Sequence, residues 1–226
     1  MVSHVERVFQ LVIPSFKRVG KLVLLLALPL SAQDQSDYYR TVTLETPAGV
    51  NMEASGLAVL PDGKLAVSIR KGEVWIIQNP SAEPPTVANL GYKLFASGMH
   101  EILGLAYHEG DLYVTQRAEV TRLRDTDKDG VADEYFAASK GWGVSGAYHE
   151  YAYGPLFDRE GNMHNTLNCS MGKVWDGAGD EAKHPLWRGW SIITKKGSTT
   201  ATGFSAGFRS PCGIGLNAEG DIFGTD

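Results

Sequence analysis

Asp125, Asp127 and Asp129 stand at alternate positions of the segment Asp125-Thr-Asp127-Lys-Asp129-Gly130-Val131-Ala-Asp133-Glu134. Carboxylates spaced two apart, followed by a glycine that permits a sharp turn, can converge on one hard cation. The backbone carbonyl of Val131 and the carboxylate of Asp133 would add two further oxygens, and the cation expected is Ca2+. The loop departs from the helix-flanked calcium motif, because Phe136 occupies the position of its final bidentate Glu. The alternative is a solvated acidic hairpin loop. Two other residues are suited to chemistry. His149, in His149-Glu150, carries an imidazole, the usual general base near neutral pH. Arg209, in Gly207-Phe-Arg209-Ser210-Pro-Cys-Gly213, carries a permanent donor fork suited to carboxylates or quinone oxygens. Taken alone, each also fits a packed or salt-bridged surface residue.

These residues are positioned by a repeated element. Gly56-Leu-Ala-Val-Leu-Pro-Asp-Gly63, Gly104-Leu-Ala-Tyr-His-Glu-Gly110, Gly154-Pro-Leu-Phe-Asp-Arg-Glu-Gly161 and Gly213-Ile-Gly-Leu-Asn-Ala-Glu-Gly220 share one pattern, each followed by a second apolar run. The pattern is a hairpin: apolar strand, polar turn ending in glycine, apolar strand. Hairpins whose turn glycines Gly63, Gly110, Gly161 and Gly220 fall 47, 51 and 59 residues apart, with no amphipathic helix of convincing length between them, predict an all-β fold and specifically a β-propeller. Third strands are expected at Glu73–Gln78, Glu119–Leu123 and Lys173–Trp175, with Trp75, Tyr113 and Trp175 serving blade packing. His149 and Arg209 each immediately precede a hairpin, as His100-Glu101 does, so propeller geometry would aim them toward one face and the central axis. His108, His164 and His184 carry no such pattern and read as structural or exposed. The last hairpin ends at residue 226, so four blades are expected here, the fourth unfinished, as the N-terminal part of a longer propeller.

Charge and composition narrow the partners. Lys and Arg total 21 against 26 Asp and Glu, a net charge of −5, and no strongly basic stretch exists, which argues against nucleic acid. Arg7, Lys17, Arg18 and Lys21 precede the uncharged run Leu22–Leu30, and Leu30-Ser31-Ala32 is a small-residue cleavage site. Residues 1–32 are therefore expected to be a signal peptide, which gives a periplasmic or secreted protein and leaves residues 38–226 as the propeller domain. The run is too short for a stable membrane span. In an oxidising compartment Cys169 and Cys212 could pair, or remain two thiols.

On Leu103-Gly-Leu-Ala through Glu134, His149-Glu150 through Asn162, and Gly207-Phe-Arg-Ser-Pro-Cys-Gly213 through Asp226, the chain resembles the glucose/sorbosone dehydrogenase family. It is most similar to the sorbosone dehydrogenase-like exported proteins of planctomycetes and verrucomicrobia. The resemblance implies a six-bladed propeller that holds pyrroloquinoline quinone (PQQ) with calcium and oxidises a sugar or aldehyde, passing electrons to an acceptor such as a cytochrome c. It places His149 as the base that takes the substrate hydroxyl proton, and Arg209 with Ser210 as quinone-binding residues. Ser210 replaces the family's usual Asn. Asn168-Cys169-Ser170 stand where the soluble glucose enzymes have a carboxylate that orients the base. Two alternatives use the same face: a non-catalytic binding module, and a calcium-dependent lactonase whose axial metal would draw on Glu101 and Glu150.

Overall fold

The computed structural model describes residues 39–145, 147–170 and 185–226. From Val42 onward the chain forms one unit, built from antiparallel four-stranded sheets. The first comprises β1 (Ala54–Val59), β2 (Leu65–Ile69), β3 (Glu73–Ile77) and, after the one-turn helix α1 (Val87–Leu90), β4 (Tyr92–Ala96). The second comprises β5 (Leu105–His108), β6 (Asp111–Thr115), β7 (Val120–Arg124) and β8 (Glu134–Ser139). The third comprises β9 (Ala152–Phe157), β10 (Met163–Leu167), β11 (Trp190–Thr194) and β12 (Thr202–Ala206), and the hairpin β13 (Gly213–Leu216), β14 (Ile222–Thr225) follows. Sheet order follows chain order, and β1, β5, β9 and β13 lie side by side as the innermost strands. This is the β-propeller expected from the repeats, and all four predicted hairpins form.

The third strand of the third blade differs from expectation. Lys173–Trp175 lies outside the described residues, and Trp190–Thr194 occupies that place in the sheet. Among the described residues the predicted third strands at Glu73 and Glu119 form as β3 and β7. Trp75 and Tyr113 pack against apolar clusters, as their strand positions require. Residues 1–32, the expected signal peptide, lie outside the described part. Among the described residues no helix is long and apolar enough to cross a membrane. Cys169 and Cys212 are not joined as a disulfide.

The core lies between sheets. Ala66, Val74 and Ile76 of the first sheet meet Leu105, Leu112 and Val114 of the second. Val120 and Ala138 of the second meet Ala152, Met163 and Ile192 of the third. A central strand is covered on both faces, which is why β10, Met163–Leu167, is buried at every position even where the side chain is polar. His164 is one of these; its Nε2 pairs with Asp158 at 3.0 Å. His108 stacks on Phe157, centroids 3.9 Å apart. His184 lies outside the described residues.

Blade-on-blade packing brings the innermost strands so close that glycine is needed where they touch. A Cβ on Gly104, whose φ is +141°, would fall 1.7 Å from the Gly154 carbonyl oxygen. Gly104→Ala is therefore expected to cost about 3 kcal/mol or more, by backbone strain and by forcing two blades apart. Gly63→Ala, at φ +85° but facing open space, should cost only about 1 kcal/mol. Urea unfolding of the two variants checks the difference.

Candidate active site

Hairpin register decides which residues meet. Ala54 pairs with Ile69, Leu105 with Val114, Ala152 with Leu167, and Gly213 with Thr225. The start of each innermost strand therefore lies beside the end of its neighbour. Residues just before β5, β9 and β13 share one face with those just after β2, β6, β10 and β14. Glu101, His149 and Arg209 belong to the first group; Arg70, Arg117, Asn168 and Asp226 belong to the second.

His149, Arg209 and Ser210 come together. With Asn168 and Cys169 they line a pocket of about 180 Å3. The segment carrying Arg209 is pinned by its backbone, since Arg209 N and Ser210 N both donate to Asp226 Oδ1, at 2.8 and 2.6 Å. Cys169 N donates to Arg209 O at 2.9 Å, joining the third blade to the last hairpin. The backbone amides are thus consumed internally, while the Arg209 guanidinium and the Ser210 hydroxyl stay exposed. Asn168 Oδ1 is buried with no hydrogen-bond partner among the described residues.

His149 is exposed and meets Tyr148 edge-on, ring centroids 5.1 Å apart. Glu150 does not orient it. That carboxylate is wholly buried and accepts hydrogen bonds from Ser145 N at 2.6 Å and Ser145 Oγ at 2.7 Å. Arg188 lies in the same buried region without a direct ion pair to Glu150; burial pushes its guanidinium down to about 10, against the opposing pull of the Glu150 charge. Arg188 Nε donates to Gly143 O at 2.7 Å and Nη1 to Tyr151 O at 2.8 Å. One guanidinium therefore ties both ends of the loop that presents His149.

A second group stands on the same face. Glu101 accepts from Arg70 Nη2 at 2.9 Å and pairs with Arg117 Nε at 2.7 Å. Arg117 lies over the Tyr151 ring, 4.6 Å from its centroid. The echo between His100-Glu101 and His149-Glu150 is thus positional only, because Glu101 bridges two arginines whereas Glu150 is turned into the core.

The acidic loop is elsewhere. Arg124 pairs with Glu134, so the loop caps the β7–β8 hairpin at the end of the strands opposite His149. Asp125, Asp127 and Asp129 each offer an oxygen within 4.8 Å of the others. The loop backbone shapes them: Gly130 N donates to Asp125 Oδ2 at 2.7 Å and Val131 N to Asp129 Oδ1 at 2.8 Å. Asp133 turns to Thr126, accepting from its N at 3.0 Å and its Oγ1 at 2.5 Å, and these bonds hold its carboxyl below the usual range. Three of the five expected metal ligands therefore cluster through their side chains. The Asp133 carboxylate holds the loop, and Val131 offers only its backbone carbonyl.

Sequence reasoning missed Arg188, Arg70 and Asp226. Asp226 was within reach of hairpin register, since it follows the partner of Gly213. The two arginines carry no local signal, because their partners lie 31 to 81 residues away.

No family model and no curated protein matches the chain. Solved structures share its fold at low identity. The PQQ-bound form of an aldose sugar dehydrogenase from Streptomyces coelicolor matches with a TM-score of 0.56 at 18% identity, covering 81% of this chain and 59% of that one. A Thermus thermophilus protein described as an oxidoreductase (glucose dehydrogenase) matches at 0.55 and 20% identity, covering 80% and 57%. A gluconolactonase from Xanthomonas campestris matches at 0.50 and 13%, covering 77% and 54%. The chain thus spans between half and three-fifths of the length of these structures. What they share with it is the propeller.

Removing the Arg188 side chain would leave the Gly143 and Tyr151 carbonyls without their donor, weaken the favourable field at buried Glu150, and free both ends of the His149 loop. Arg188→Ala is expected to cost about 3 kcal/mol and to accelerate amide exchange across 143–151 more than in the first blade. Hydrogen exchange read by mass spectrometry tests it.

Proposed function

We propose that this chain carries the base and part of the quinone cradle of an exported, PQQ-dependent sugar or aldehyde dehydrogenase of the glucose/sorbosone dehydrogenase type. The supporting observation is the convergence of His149, Arg209 and Ser210, singled out separately along the sequence, on one pocket. Its polar groups suit the quinone. Carboxylates and quinone oxygens accept hydrogen bonds only, and the exposed side chains of Arg209 and Ser210 offer donors uncommitted among the described residues. When bound, the quinone supplies a two-electron hydride acceptor. A ring nitrogen of His149 takes the proton of the substrate hydroxyl, and the Arg188 clamp holds the loop from which it does so. Arg209 places a fixed positive charge where negative charge accumulates on the acceptor.

The lactonase alternative has less support. Its metal would need Glu101 and Glu150, and one is held between two arginines while the other is buried on Ser145. In the proposed enzyme Ca2+ bound by Asp125, Asp127 and Asp129 has a structural role, because the loop lies at the far end of the strands. Electrons would pass to an acceptor such as a cytochrome c outside the cell membrane.

Titrating the purified protein with PQQ and calcium, then following dye reduction over a panel of aldoses and aldehydes, tests the reading. His149→Asn should keep quinone binding and lower turnover by about 10²- to 10⁴-fold. Arg209→Ala should weaken quinone binding itself, by about tenfold or more. Quinone binding without turnover on any sugar or aldehyde would overturn the dehydrogenase assignment. Calcium uptake by the chelated protein, measured by calorimetry, should disappear in Asp127→Asn.

A further inference from the structure

Arg70 follows β2 and crosses to the loop that carries His149. Its Nη2 donates to Glu101 at 2.9 Å, to the Tyr151 hydroxyl at 3.2 Å and to the Tyr148 hydroxyl at 3.4 Å. All three contacts use one nitrogen. Nη1 and Nε make no hydrogen bond among the described residues, and the side chain is 40% exposed. Arg117, only 12% exposed, takes the other oxygen of the same Glu101 carboxylate. Among the described residues one negative charge thus serves two guanidinium groups that never deprotonate, and one positive charge is left without a counterion. The arrangement is fixed rather than adventitious. Glu101 holds φ +46°, a conformation rare outside glycine, Arg117 is stacked onto Tyr151, and the Arg117 guanidinium also donates to the Tyr148 carbonyl.

Tyr148 stands between this charge and the base. It is 62% exposed, its hydroxyl faces Arg70, and its edge-on neighbour is His149. The free donors of Arg70 and the imidazole are therefore separated by one exposed phenol ring, a surface on which a sugar ring can lie.

We propose that Arg70 and Tyr148 form a subsite for the carboxylate of an acidic sugar, so that the substrate class of the His149 site is the uronic or aldonic acids rather than neutral aldoses. The proposal rests on the dehydrogenase reading for its reacting end, while the anion subsite stands on the geometry of Arg70. Tyr148 carries the sugar ring. Arg70 receives the carboxylate through Nη1 and Nε, which no described residue engages, and Glu101 with Arg117 holds Arg70 in place.

Equilibrium binding to the protein without quinone, followed by NMR titration with D-glucuronate and D-glucose, tests this directly. Glucuronate is expected to bind at least about tenfold more tightly at low salt, with the advantage shrinking as ionic strength rises. Arg70→Gln should erase the advantage and leave glucose binding unchanged, and Arg70→Lys should retain part of it. If Arg70→Gln fails to fold, the Lys variant and the salt dependence of the native protein decide. Equal affinity for the two sugars, or a glucuronate preference that survives in both variants, overturns the subsite. The two readings fail separately. Tight glucuronate binding without turnover of any sugar removes the dehydrogenase and keeps the subsite, and glucose turnover with no glucuronate preference does the reverse.

Discussion

Everything at the site depends on how closely the innermost strands approach one another. Gly56 and Gly104 let backbone touch backbone between blades, where a Cβ would fall 2.5 Å from Leu105 N or 1.7 Å from Gly154 O. At that separation the apolar faces of successive sheets interlock with no layer between them. The starts of β5, β9 and β13 are thereby held beside one another. A wider spacing would leave His149 and Arg209 as two unrelated surface residues.

Buried charge then fixes orientation at a cost in solvation. Glu150 and Arg188 are removed from water, and each is offset chiefly by its own hydrogen bonds, Glu150 from Ser145 and Arg188 to the carbonyls of Gly143 and Tyr151. A hydrophobic pair of the same volume would stabilise the fold at least as well. It would not tie Gly143 to Tyr151, and the loop between them is the one that presents the imidazole. Asp226 acts in a similar way on Arg209 and Ser210, through backbone amides and at the surface. In both cases the acidic group shapes backbone and leaves the functional side chain free.

The two ends of the strands carry different chemistry. At one end, three aspartates converge in a hairpin loop whose amides have already aligned the carboxylates. At the other, Arg70 and Arg117 share the one carboxylate of Glu101 among the described residues, and His149 meets the ring of Tyr148 edge-on. Hairpin register alone separates them, since successive strands run in opposite directions and each loop belongs to one end or the other.

The hairpins were legible from the sequence because their signals are local: a glycine where the turn needs positive φ, between two alternating apolar runs. From that repeat followed the propeller and the shared face of His149 and Arg209, each a short distance ahead of a hairpin. The third strand of the third blade was misplaced for the same reason. Val174-Trp175 and the run from Trp190 to Thr194 carry similar β-forming residues, and it is the latter that pairs with β10. What the tertiary structure alone decided is which side chains remain free. Glu101 and Glu150 look alike in sequence, yet one bridges Arg70 and Arg117 and the other is buried against Ser145. The difference lies in partners brought from other blades, and a contact between blades leaves no trace in the residues beside it.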